Sequence, residues 1–180
     1  MQPLPTPDSF YFDAATGWLL LDNPREAFLE LDRIRAPYQL HPDVLELRWT
    51  LQATQADWTA CLKTGQTLVD TAPDRVSGWI HRAFALRRIP GGSLKSAMEA
   101  LLPAADRFPD ETIIPYNLAC YACQLGDLTA ARDWRKRAWQ ASARAGEQSR
   151  WIAAALRDPD LEALWPEIPR TDAADNANPG

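Results

Sequence analysis

Cys120 and Cys123 are the pair in this 180-residue chain whose type and spacing first suggest chemistry. A Cys-x-x-Cys pair can cycle between dithiol and disulfide, or supply half of a zinc site. Zinc needs about four ligands, and the remaining candidates, Cys61, His41 and His81, form no second pair. A redox pair usually opens a helix, where the dipole lowers a thiol pKa. Cys120 and Cys123 fall in the middle of a helical pattern, so they read as packed, reduced thiols. Three cysteines also argue against a disulfide framework. His81 has no Asp or Ser at catalytic spacing, and His41, beside Pro42 in a connector, is expected to face solvent. Gly91-Gly92 lacks the Lys-Ser/Thr of a phosphate loop and reads as a turn. No cofactor, metal or catalytic residue is expected. What remains is recognition: arginines such as Arg82, Arg87 and Arg88 can grip a carboxylate with two hydrogen bonds, and aromatics supply anchoring area. The bland alternative is that these arginines cover a solvated helix face.

The elements that would position such residues recur at a fixed distance. Asn23, Asp57, Ser93 and Asp127 all favour a helix start, and four residues after each comes a small side chain: Ala27, Cys61, Ala97 and Ala131. Asn23 to Asp57 is 34 residues, as is Ser93 to Asp127, and the 36 between Asp57 and Ser93 are accounted for by Gly91-Gly92. Pro24 suits the first helical position after Asn23, and Glu26 can complete a capping box. Pro-Asp pairs recur at 7–8, 42–43, 73–74 and 109–110, and the prolines at 42, 73 and 109 mark where a preceding helix must end. Between these signals the apolar residues recur with a period near 3.6, as in Leu94, Ala97, Met98, Leu101 and Leu102. A period of this size is the mark of stacked helix hairpins.

The expected fold is therefore all-α, with no strand. Residues 1–7 form a flexible lead-in, and 8–168 one helical-repeat domain. Its helix pairs span about 8–36, 43–71, 75–107 and 111–144, with a cap over 147–168. Gly17 is expected to interrupt the first helix. Residues 169–180, small and polar, are expected to be disordered. The net charge of -5 argues against a nucleic-acid partner. No apolar run approaches the ~20 residues of a membrane span. The opening stretch has no basic residue, which argues against a secretory signal, and the chain reads as cytoplasmic.

These residues resemble the tetratricopeptide repeat (TPR). The strongest match runs through Tyr116-Asn117-Leu118-Ala119-Cys120-Tyr121-Ala122, Leu125-Gly126-Asp127-Leu128, Ala130-Ala131, Trp134 and Ala138. Trp79, Ala83, Leu86, Ala97, Leu101, Ala104 and Pro109 match as well. The unit from Leu45 to Pro73 departs from the pattern. It has Cys61 for alanine, Gly65 for an aromatic and Trp49 at a usually small position. The resemblance implies a right-handed α-solenoid of about four antiparallel helix pairs plus a C-terminal capping helix. It also implies a concave groove lined by the first helix of each pair.

By that resemblance the groove is lined by Asp43, Glu46 and Thr50, then Ser77, Ile80, His81, Phe84, Arg87 and Arg88. Ile113, Tyr116, Asn117, Cys120 and Gln124 complete it. Asp43 and Glu46 stand where a carboxylate clamp would need basic residues, which argues against that variant. The function implied is a non-catalytic adaptor, scaffold or co-chaperone-like module that binds an acidic or amphipathic peptide or helix of another protein. The alternative is a self-associating assembly protein, a homodimer joined through the apolar C-terminal end near Trp151, Trp165 and Ile168.

Overall fold

The computed structural model describes residues 2–169, and the expected tail lies almost wholly outside them. Nine α-helices are present among the described residues, and no strand. They are α1 (Asp8–Leu20), α2 (Pro24–Arg33), α3 (Pro42–Thr54), α4 (Trp58–Thr71), α5 (Val76–Leu86), α6 (Leu94–Arg107), α7 (Ile113–Gln124), α8 (Leu128–Arg144) and α9 (Gln148–Ala155). A 3-10 turn spans Ala36–Tyr38, and a 3-10 segment spans Pro159–Glu167. The helices fall into two compact units that divide at Ser93 and Leu94. The two helices of the expected third pair therefore belong to different units, and each is described with its own neighbours.

One turn recurs between paired helices. Asn23, Asp57 and Asp127 accept hydrogen bonds from the amides of Glu26, Ala60 and Ala130 at 3.3, 3.0 and 2.9 Å. The residue before each cap adopts a left-handed conformation, with φ of 53° at Asp22, 54° at Ala56 and 81° at Gly126. Two backbone bonds close the end of the preceding helix. In the second turn Ala56 N donates to Ala53 O, and Asp57 N to Gln52 O, both at 3.0 Å. The same pair of bonds forms around Gly126 and Asp127, and again around Asp22 and Asn23. This satisfies carbonyls that a helix end leaves orphaned. The Asn23 amide donates to Trp18 O, so Glu26 is not needed to complete a capping box.

In the first unit, α1, α2 and α3 enclose Ala15, Ala27, Leu31, Ile34, Val44, Leu47 and Leu51. Gly17 does not interrupt α1, which runs straight through it. Asp8, the first residue of α1, is fully buried. Its carboxylate accepts from the Arg35 backbone amide at 2.7 Å, and from the Arg35 guanidinium at 2.8 and 2.5 Å. The side-chain bonds from Arg35 hold its pKa below the usual carboxylate value. The close approach of α4 to α5 depends on glycine. A Cβ at Gly65 would lie 2.9 Å from the backbone nitrogen of Arg82, and one at Gly78 would lie 3.1 Å from the Leu68 side chain. The aromatic that the repeat pattern puts at position 65 has no room there.

In the second unit, Ala131, Ala138, Ile152, Ala155, Leu161, Leu164 and Ile168 share one core with the apolar face of α7. The small residues Ala27, Cys61, Ala97 and Ala131 are all without exposed surface. The spacing signal thus reports close helix contacts.

Candidate functional site

In the first unit three helices converge on an apolar recess. Trp49, Thr50, Ala53 and Thr54 come from α3, Trp58 opens α4, and Ile80, His81 and Phe84 come from α5. The recess has a volume of about 510 Å³, enough to admit a large apolar side chain. Its wall is an aromatic cluster. The Trp49 and His81 rings stack in parallel with centroids 3.9 Å apart. Phe84 meets Trp49 and Trp58 at 5.9 Å in edge and tilted arrangements. The Arg88 guanidinium lies 3.4 Å from the Phe84 ring centroid and 5.2 Å from that of Trp58. Such placement over ring faces is a cation–π contact. Arg88 also donates to Phe84 O at 3.1 Å.

Burial lowers the His81 pKa to about 4, against an opposing pull from Glu46. The imidazole is therefore neutral at physiological pH and behaves as a flat, weakly polar wall. Its Nδ1 and the Trp49 Nε1 are buried without a hydrogen-bond partner, a costly arrangement.

The acidic residues expected nearby are engaged within the unit. Arg75 reaches Asp43 at 2.7 Å and Glu46 at 3.1 Å, and the Ser77 hydroxyl donates to Glu46. Arg87 is the C-terminal capping residue of α5, where a cation complements the helix carbonyls. His41 does not face solvent. Its Nδ1 accepts from the Asp43 amide at 3.3 Å, and its Nε2 lies 3.0 Å from Gln2 O. Through the Asp43 amide it caps the start of α3.

The remaining candidates lie on α7 in the second unit, and the chain's own C-terminal segment engages them. The Tyr116 hydroxyl donates to Asp158 at 2.9 Å, the Cys120 thiol lies 3.6 Å from the same carboxylate oxygen, and Gln124 donates to Asp160 at 2.6 Å. Asn117 and Ile113 are half-buried. Burial, with Asp158 second, pushes the Cys120 pKa well above the ordinary thiol value, and burial raises that of Cys123. Burial also lifts Cys61 to about 11. None of the three is a thiolate near neutrality, which argues against thiol chemistry.

The structure thus brings Ile80, His81, Phe84 and Arg88 together, with Thr50 beside them. Tyr116, Cys120 and Gln124 form a second group beneath the 3-10 segment. Trp49 and Trp58, which complete the recess, were not among the residues expected to line the groove. The signal was present: Trp49 occupies a usually small position. The apolar C-terminal end expected to self-associate is packed inward. Ile168 is buried, the Trp151 ring meets that of Tyr116 in a tilted contact with centroids 5.0 Å apart, and the Trp165 indole donates to Ala155 O at 2.9 Å. No helix among the described residues is long and apolar enough to cross a membrane.

No protein-family model and no curated protein matches the sequence. A solved structure similar to this chain is the MamA RS-1 ArsTM double mutant, with a TM-score of 0.65 and 14% identity over 77% of each chain. At that identity the likeness shows the fold alone, a TPR-like helical repeat.

Proposed function

We propose that the protein is a non-catalytic interaction module. It docks a peptide or helix of another protein on the α3–α5 face of its first unit. The observation that carries this reading is the open apolar recess between Trp49, Trp58, Ile80 and Phe84. Preformed apolar concavities of this size bind through one or two large anchoring side chains. The partner segment is amphipathic: an apolar residue enters the recess, and polar residues flank it toward Arg87 and Arg88. Affinity then comes chiefly from apolar burial, with a smaller salt-sensitive share from the arginines. The raised thiol pKa values support the non-catalytic part of the reading.

Selection of displayed random peptides on the purified chain tests this directly. The expected result is a consensus with one invariant large apolar residue. Its binding is lost on Ile80→Glu while the helical circular dichroism is unchanged. Peptides that bind Ile80→Glu as well as the unmodified chain would reject the assignment.

A further inference from the structure

The first unit carries a second apolar surface, remote from the recess in its residues and different in character. Phe10, Leu20 and Leu21 are 63%, 83% and 71% exposed. Phe10, Ala14, Gly17 and Leu21 follow one another at helical spacing, so they share one face of α1. Helix α1 buries its opposite side against α2 and α3 and is apolar nearly all round. A helix of that kind is normally covered on every side.

Gly17 sharpens the point. A glycine inside a helix costs about 1 kcal/mol relative to alanine. Here it has no internal reason to be small, because a Cβ at Gly17 would meet nothing within 4 Å. Small residues in mid-helix let another helix approach closely. The face therefore reads large, small, small, large, and this order is the same from either end.

We propose that this face docks a second copy of the chain, with two α1 helices crossing antiparallel about Ala14 and Gly17. The two-fold arrangement sets Phe10 of one copy against the partner's Leu21 and Ala14 against the partner's Gly17. Charge selects the same arrangement. Asp13 lies on this face, and Arg25 stands at the start of α2, beside the end of α1. Both are exposed, and neither has an ion-pair or hydrogen-bond partner among the described residues. The antiparallel crossing brings each Asp13 toward the partner's Arg25. An isologous contact of this kind is self-limiting and closes as a dimer. One helix from each copy makes a contact below the standard size, so the association is expected to be weak. This surface is separate from the recess, so the two proposals stand or fall independently.

Sedimentation velocity on the full chain, from low micromolar to several hundred micromolar, is the test. The expected result is a monomer–dimer equilibrium. Gly17→Lys weakens it about tenfold or more while keeping full helical circular dichroism, since position 17 faces open space. Asp13→Arg weakens it similarly, and Asp13→Arg with Arg25→Asp restores it. A monomer at every concentration leaves the face to a different protein and overturns the proposal. So does a dimer indifferent to Gly17→Lys. Failure of the double charge swap to restore association overturns the antiparallel crossing.

Discussion

The recurring left-handed turn makes a signed prediction. Ala56 and Gly126 occupy the same place in two of the recurring turns, with φ of 54° and 81°. A non-glycine residue in this conformation loses about 1–2 kcal/mol. Alanine recovers part of that, about 0.5–1 kcal/mol, because it restricts the unfolded chain more than glycine does. Ala56→Gly should therefore stabilise its unit by about 0.5–1 kcal/mol. Gly126→Ala should destabilise its own unit by a similar amount, and no steric term intrudes because a Cβ there meets nothing within 4 Å. Asp22→Gly should gain less, since aspartate tolerates the left-handed region better than alanine. Urea unfolding followed by tryptophan fluorescence measures all three. Equal-sign changes for Ala56→Gly and Gly126→Ala would refute the reasoning, because the two positions would then not share one backbone geometry.

Two other substitutions probe what holds the first unit in shape. Gly65→Ala should cost about 1–3 kcal/mol, because the added carbon meets the α5 backbone at 2.9 Å; an unchanged urea midpoint would contradict the close approach of α4 and α5. Asp8→Asn should lower the melting temperature at neutral pH. The folded-state pKa of Asp8 is depressed, so its contribution is present above the ordinary carboxylate pKa of 3.8 and lost as pH falls through the lowered value. The two melting curves should therefore converge in acid, and a gap that persists at low pH would show that shape, not charge, is at stake.

The helices were legible because each boundary signal acts locally. Asn23, Asp57 and Asp127 cap through an amide three residues on, and the small residue four positions later marks a helix contact whatever surrounds it. The site was legible only in part. Ile80, His81 and Phe84 were reached through the resemblance to the repeat, which puts the first helix of each pair on the inner face. The recess needs Trp49 and Trp58 as well, and their convergence depends on how closely α4 meets α5. That distance is set by Gly65 and Gly78, where sequence alone shows a departure from the repeat but not the backbone it admits. Tyr116, Cys120 and Gln124, expected in the groove, lie against the chain's own 3-10 segment. Their engagement by Asp158 and Asp160 arises from contacts more than 30 residues apart in sequence, which no periodicity encodes. The pairing of Arg75 with Asp43 and Glu46 is hidden for the same reason.

The recess is the centre of the account, and a small probe can reach it without knowledge of the partner. N-acetylphenylalanine amide titrated into the full chain, followed by amide and indole NMR shifts, reports where an apolar side chain settles. Saturable shifts are expected at the Trp49 and Trp58 indoles and along Ile80–Phe84, abolished by Ile80→Glu. Shifts that spread evenly over the surface, or that survive Ile80→Glu, would contradict it.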